Sequence, residues 1–195
     1  MNFNPESANA LIQNRRSVFQ AQYSGAKVDD AIVEQMLANA NWAPTHKLTE
    51  PWRFVVFTDE GIKKLAEFQA ALYKKVTTAD GSFKEDKFNN LLTKPLLSSH
   101  IIAVGMKRDE KKSLPQIEEI GAVFCAVENM HLTATAYGVG GYLSTGGVTY
   151  FEEAKTFFGW GNDDLLLGFF HIGMPKGTLP DGRRKPIEEK VTWVR

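Results

Sequence analysis

The chain has 195 residues, a length that suits one domain and supports a core with no disulfide or metal staple. Lys plus Arg (23) balance Asp plus Glu (23), and this argues against a general nucleic-acid binder, which needs a basic excess to neutralise phosphates. The one cysteine, Cys125, permits no internal disulfide and fits a reducing compartment. Residues 1–7 are polar with no apolar signal core, and no stretch approaches the ~20 apolar residues of a membrane span, so the expected location is cytoplasmic with no membrane partner.

Asn4-Pro5-Glu6 predicts a helix over residues 5–14: a capping amide, then proline at the first helical position, where no N–H is needed. Residues 15–25 read as a polar connection. Asp29 caps a second helix with Ile32, Val33, Met36 and Leu37 as its apolar stripe, and Pro44 stops it. Residues 52–57 (WRFVVF) are aromatic and β-branched and predict a strand. A helix follows over residues 60–76. Residues 77–95 are polar with Phe83 and Phe88 embedded, the pattern of a mobile, partly helical excursion. Residues 101–106 are a second strand.

Ser113 to Gln116 resembles a capping box that opens the longest helix, residues 115–137. Ile117, Ile120, Phe124, Val127 and His131 mark one face of it; Val123, Ala126, Met130 and Thr133 mark an adjacent one. So wide an apolar surface predicts a central helix or one packed against another subunit. Cys125 lies in its apolar stretch and is expected as a small buried hydrophobe. Gly138 is placed to end the helix. A shorter helix over 150–158, an interior strand over 165–172 and an edge strand in the tail, 187–194, complete the chain. No repeat or low-complexity linker interrupts it, so the expectation is a single domain over 1–195, α+β, with a small central sheet covered by helices.

The common catalytic motifs fail on context. Gly138-Val-Gly-Gly141 follows a helix, whereas a dinucleotide fingerprint follows a strand and opens a helix. Tyr142 stands where a nucleophile elbow around Ser144 needs glycine. His46, His100, His131 and His171 are widely spaced, with no local pair of metal ligands, and each reads as structural or surface.

Three segments remain, each with two readings. Arg15, Arg16 and Ser17 offer guanidinium forks and a hydroxyl to a phosphate monoester, or form a solvated basic helix end. Residues 42–54 hold Trp42, His46 and Lys47 between Pro44 and Pro51, either to face a planar ligand or as a helix stop with core tryptophans. Residues 140–147 hold four glycines, which let backbone approach a ligand or form a flexible helix-to-helix connection.

Taken in order, N-R-R-S at 14–17, A-P-x-H-K…P-W-R-F at 43–54, G-x-G-G…G at 138–146, G-x-x-x-I-G at 168–173 and R-K-P-I-E-E at 184–189 resemble the short, single-domain members of the nitroreductase family of flavoenzymes. The resemblance covers nearly the whole chain. It implies a three-layer α-β-α sandwich with a mostly antiparallel sheet, and a homodimer with FMN sites at its interface. Arg15, Arg16 and Ser17 would hold the FMN phosphate, with a weaker contact from Arg184. Trp42 and His46 would reach the flavin from the partner subunit. Leu143, Ser144 and Thr145 would line the isoalloxazine. Residues 133–138, from Thr133 to Gly138, would lie near the nicotinamide. NADH or NADPH would reduce FMN, and a small-molecule acceptor would reoxidise it at the same face in a ping-pong cycle. No residue is assigned as catalytic, because the flavin carries the chemistry. Residues 77–95 would form a variable lid, with Phe83 or Phe88 either touching substrate or anchoring the excursion to the core. The alternative function is a low-turnover flavin carrier or redox-responsive protein. A third reading is a flavin-free globular domain.

Overall fold

The computed structural model describes residues 3–195; the first two residues of the polar N-terminal stretch lie outside them. Strands β1 (Trp52–Thr58), β2 (His100–Met106), β3 (Gly140–Ser144) and β4 (Leu165–Gly173) form one antiparallel sheet in the order β1-β2-β4-β3. The helices are α1 (Pro5–Asn14), α2 (Asp30–Ala40), α3 (Asp59–Ala79), α4 (Glu85–Thr93), α5 (Gln116–Ala136) and the single turn α6 (Ala154–Phe157).

The alternation of side chains along β2 makes the layers. Ile102, Val104 and Met106 face one way and pack with Val33 and Met36 of α2 and Val123 and Met130 of α5. Ile101 and Ala103 face the other way and pack with Ile62, Leu65 and Tyr73 of α3. β2 is buried along its whole length, so both its faces must be apolar, as its sequence is. Both expected N-terminal caps form: the Glu6 N–H donates to Asn4 Oδ1 (2.9 Å) and the Ala31 N–H to Asp29 Oδ1 (3.0 Å). The excursion contains α4, and Phe83 and Phe88 anchor it: they pack into the second core, with Phe83 5.9 Å from the Tyr73 ring.

Several local expectations are corrected. Residues 140–144, expected as a glycine-rich bend or connection, pair with β4 as an edge strand, Gly140 opposite Gly173 and Ser144 opposite Phe169. The Ser113 hydroxyl does not cap α5; it donates to Asp109 Oδ2 (2.7 Å), and Pro115 precedes the first turn. The helix expected over 150–158 shrinks to α6, preceded by a 3-10 turn at Gly147–Tyr150, because Phe151 takes extended geometry (φ −88°, ψ 122°) and breaks the run. The tail over 187–194 forms a 3-10 turn at Ile187–Lys190 and no strand, and leaves Ile187, Trp193 and Val194 exposed. Cys125 is exposed, not buried, because the core takes Ala122, Val123, Ala126 and Met130 and turns the stripe of Ile117, Phe124 and Cys125 outward.

Candidate functional site

The twin arginines and the glycine strand meet at one seam. α1 stops at Asn14, and Arg15 adopts extended geometry (φ −60°, ψ 129°). Ser17 then bridges Gly141 in parallel, and the Val18 N–H donates to the Gly141 carbonyl at 2.9 Å. Only glycine fits at 141: a Cβ there would lie 2.5 Å from Phe170 Cζ and 3.2 Å from His131 Cδ2. Gly138, at φ 69°, is the left-handed residue that ends α5 and sends the chain into β3.

On one side of the seam, Arg15, Arg16 and Arg184 line a cleft of about 610 Å³, together with Glu128 and Asp181. Three guanidinium groups thus stand against two carboxylates. Arg15 Nε lies 3.4 Å from Glu128 Oε1, and its Nη1 lies 3.5 Å from His131 Nδ1. Arg16 Nη1 donates to the carbonyls of Gln13 and Arg15, and its Nε to that of Pro180 (3.3 Å), which draws the tail over it. The Nη2 groups of both arginines have no protein partner among the described residues. His131 Nε2 donates to the Arg16 carbonyl at 2.9 Å. Burial pushes His131 down to about 4, with the nearby Arg15 charge acting in the same sense, so the ring is neutral and its Nδ1 accepts from Arg15.

On the other side, a cleft of about 510 Å³ lies between β3 and the excursion. Phe19, Tyr142, Ser144 and His171 line it on the sheet side, and Lys87, Asn90 and Lys94 on the other, with no carboxylate in its wall. Phe19 and Tyr142 rings meet at 4.5 Å, and Tyr142 lies over His171 at 6.1 Å and 24°. Burial pushes His171 down to about 4, so it too is neutral; its Nδ1 is 3.2 Å from Ser98 Oγ. Aromatic faces, cations and neutral donors together suit a planar polar ring that takes on negative charge.

The seam gathers Arg15, Arg16, Ser17, Ser144 and Arg184 around it. Thr145 continues from β3 and is exposed. Leu143 turns its side chain away, into the core under α5. Thr133 spends its hydroxyl on Asn39 (2.9 Å) and the Asn129 carbonyl (2.7 Å), and shares a shallow hollow with Trp42. Trp42 itself is 86% exposed. His46 lies 2.6 Å from Glu118, in the first turn of α5, whereas Gly138 lies just past the helix's other end. At 1.5 Å per residue, about 30 Å of helix separates them within one chain. The residues that sequence reasoning missed are His131, which it set aside as structural, and Tyr142, His171 and Lys94. A histidine on an apolar helix face was the one available signal; Lys94 carried none until the fold brought the excursion to β3.

Residues 12–174 match the Nitroreductase family. The chain belongs to the nitroreductase family. An Escherichia coli (strain K12) relative named "Putative NAD(P)H nitroreductase YdjA" is 30% identical over 167 residues, which cover 85% of this chain and 87% of that protein. The crystal structure of a nitroreductase-like family protein from Bacillus cereus superposes on this chain with a TM-score of 0.80 at 26% identity, covering 100% of this chain and 98% of that one. That of the FMN-dependent nitroreductase NfnB from Mycobacterium smegmatis, in complex with NADPH, does so with 0.74 at 15% identity, covering 97% and 99%. At that identity the likeness speaks for the shared fold alone. No helix among the described residues is long and apolar enough to cross a membrane.

Proposed function

We propose that this nitroreductase-family chain binds FMN and works as an NAD(P)H-dependent oxidoreductase that reduces nitro, quinone, enone or similar small acceptors. The observation that carries the reading is the seam. Arg15 and Arg16 line the arginine cleft and Phe19 lines the aromatic one; the extended run from Arg15 to Phe19 spans about 13 Å at ~3.3 Å per residue, a length that one flavin mononucleotide would bridge. The donor set fits that group. Arg15, Arg16, Ser17 and Arg184 present hydrogen-bond donors to a phosphate monoester. Tyr142, Ser144 and Thr145 offer a surface for the isoalloxazine, and Lys94 a cation for its pyrimidine edge. FMN, when bound, supplies the hydride chemistry. The chain's residues hold its phosphate, orient its ring and favour the reduced, anionic form.

The same reading makes the chain a homodimer with the active sites at its interface. His46 sits beside Glu118, about 20 Å of helix away from His131 at the seam of its own chain, and the reading takes it, with Trp42, from the partner copy. Three features support this. Lys47, Leu48 and Glu50 hold positive φ (52°, 53° and 42°), unusual for side-chain-bearing residues. Trp42 and Leu48 in that loop are exposed. The outward stripe of α5 is apolar at Ile117 and Phe124.

Anaerobic stopped-flow mixing of FMN-loaded protein with NADH and with NADPH tests the function. Prompt bleaching of the visible flavin band, followed by recovery on adding a quinone or nitroaromatic, is the expected result. Bound flavin that stays oxidised in both would instead favour the carrier or redox-responsive alternative, and a colourless protein that takes up no FMN would leave only the fold.

A further inference from the structure

One buried side chain lies beneath the seam and holds both arginines of the twin-arginine segment, and the redox chemistry does not use it. His131 rises from α5 beneath Gly141, with its ring edge-on to Phe170 at 5.2 Å. Its Nε2–H donates to the Arg16 carbonyl (2.9 Å), and its Nδ1 faces Arg15 Nη1 (3.5 Å). Two bonds to two successive residues fix both the backbone and one guanidinium of the twin-arginine segment. We propose that His131 is the positioning residue of an FMN phosphate clamp, aiming the Arg15 guanidinium and the Arg16–Ser17 peptide at the phosphate. The proposal rests on the reading of Arg15 and Arg16 as that clamp.

The roles follow from the chemistry of a neutral imidazole, which has one donor and one acceptor. The acceptor takes one Arg15 N–H and leaves the rest of the fork to the ligand. The donor pulls the Arg16 carbonyl toward α5; in a trans peptide the Ser17 N–H then points the opposite way, out of the seam. A charged ring would lose the acceptor and repel Arg15, and burial in the core opposes that state. A glutamate in this place would neutralise Arg15 and compete with phosphate; an apolar residue would leave Arg15 to Glu128 alone and the Arg16 carbonyl without its imidazole donor. Histidine holds the cation without cancelling it.

Flavin fluorescence titrations with FMN and with riboflavin, which lacks the phosphate, separate positioning from general support of the fold. The wild-type protein is expected to prefer FMN strongly. His131→Phe keeps a ring against Phe170 and loses both polar contacts. It should weaken FMN about tenfold or more while changing riboflavin by no more than about twofold. His131→Gln, whose amide carries one donor and one acceptor, should recover part of the preference. An FMN preference that survives intact in His131→Phe overturns this proposal alone, as does parallel weakening of both ligands. A wild-type protein with no preference for FMN overturns the clamp and this proposal together. Should the phenylalanine variant fail to fold, long-range ¹H–¹⁵N spectra of the wild-type protein carry the test. The expected result is a neutral, Nε2-protonated His131 whose Nδ1 resonance moves with FMN and not with riboflavin; an Nδ1-protonated or charged ring, or equal response to both ligands, contradicts it.

Discussion

The seam at residues 15–18 and the loop at residues 42–51 are both candidate flavin contacts, and they are built in opposite ways. The seam is tied from inside: a strand bridge to Gly141, a buried histidine below it, and carbonyls of the same chain around Arg16. The loop turns outward, with Trp42 86% and Leu48 80% exposed and three residues at positive φ. The seam is preorganised by buried contacts, whereas the loop is held by bonds at its base, such as that of Lys47 to the Ser113 carbonyl, and leaves its apolar tips in solvent. Under the proposed function, the seam would retain the cofactor and the loop would complete the site from a second copy.

The largest expected effect is on the stability of the inner half under acid. His131 and His171 are both held at about 4 in the folded chain, against 6.5 for an unhindered ring. Their folded proton affinity is lowered, so the stability they confer is full above pH 6.5 and is lost as pH falls toward 4, where only the unfolded chain takes the protons. Each tenfold difference is worth about 1.4 kcal/mol, so each ring accounts for a loss on the order of 3 kcal/mol. Urea unfolding from pH 7 to pH 4 measures it, and His131→Phe should remove about half of that slope. An unchanged slope in the variant would place the sensitivity elsewhere.

Next comes Arg16→Ala. Removing a charge-assisted donor should weaken FMN by roughly 10- to 100-fold, through a loss of about 1.5–3 kcal/mol, with the chain still folded by circular dichroism. Unchanged flavin content would count against the seam as the phosphate site. Gly141→Ala sharpens the same point from the packing side. Its methyl group would press on Phe170 and His131, for a destabilisation of about 1–3 kcal/mol together with lost FMN, read by thermal unfolding with and without the cofactor.

Trp42→Ala probes the other half. An exposed side chain contributes little to its own chain, so stability extrapolated to the separated protomer should not change. Dimer affinity, followed by sedimentation across a concentration series, should fall by about 2 kcal/mol if Trp42 anchors the interface. Equal association of wild type and variant would remove the loop from the contact. The smallest effect belongs to Glu128→Gln. It removes a half-exposed carboxylate 3.4 Å from Arg15 and should tighten FMN by a few fold, since exposed pairs are worth only about 0.2–1 kcal/mol. Weaker FMN binding in that variant would mean that Glu128 helps to aim Arg15 rather than competing for it.

How far the sequence could be read follows from where each signal was local. The caps at Asn4 and Asp29 and the apolar runs of β2 and β4 rest on neighbours in the chain, and they read correctly. β3 did not, because Gly140-Gly141 has poor strand propensity; its pairing is imposed by β4 and by the room that Phe170 and His131 leave. Cys125 read as buried because Ala122, Val123, Ala126 and Val127 around it are; the direction in which α5 faces the sheet is a tertiary fact. The tail misled for the same reason: Val191, Trp193 and Val194 look like a strand, yet they pair with no sheet edge among the described residues. In the site, the arginines stood out by residue type and Ser144 through the family resemblance alone, while His131 and Lys94 acquire meaning only from what the fold places beside them.

A crystal structure of the FMN-loaded protein addresses the division of labour most directly. The expected result is one flavin per chain, with its phosphate on Arg15, Arg16 and Ser17, its ring along Tyr142 to Thr145 of the same protomer, and Trp42 and His46 of the other protomer against it. A phosphate bound away from the twin arginines, or a flavin enclosed by one protomer alone, would contradict it.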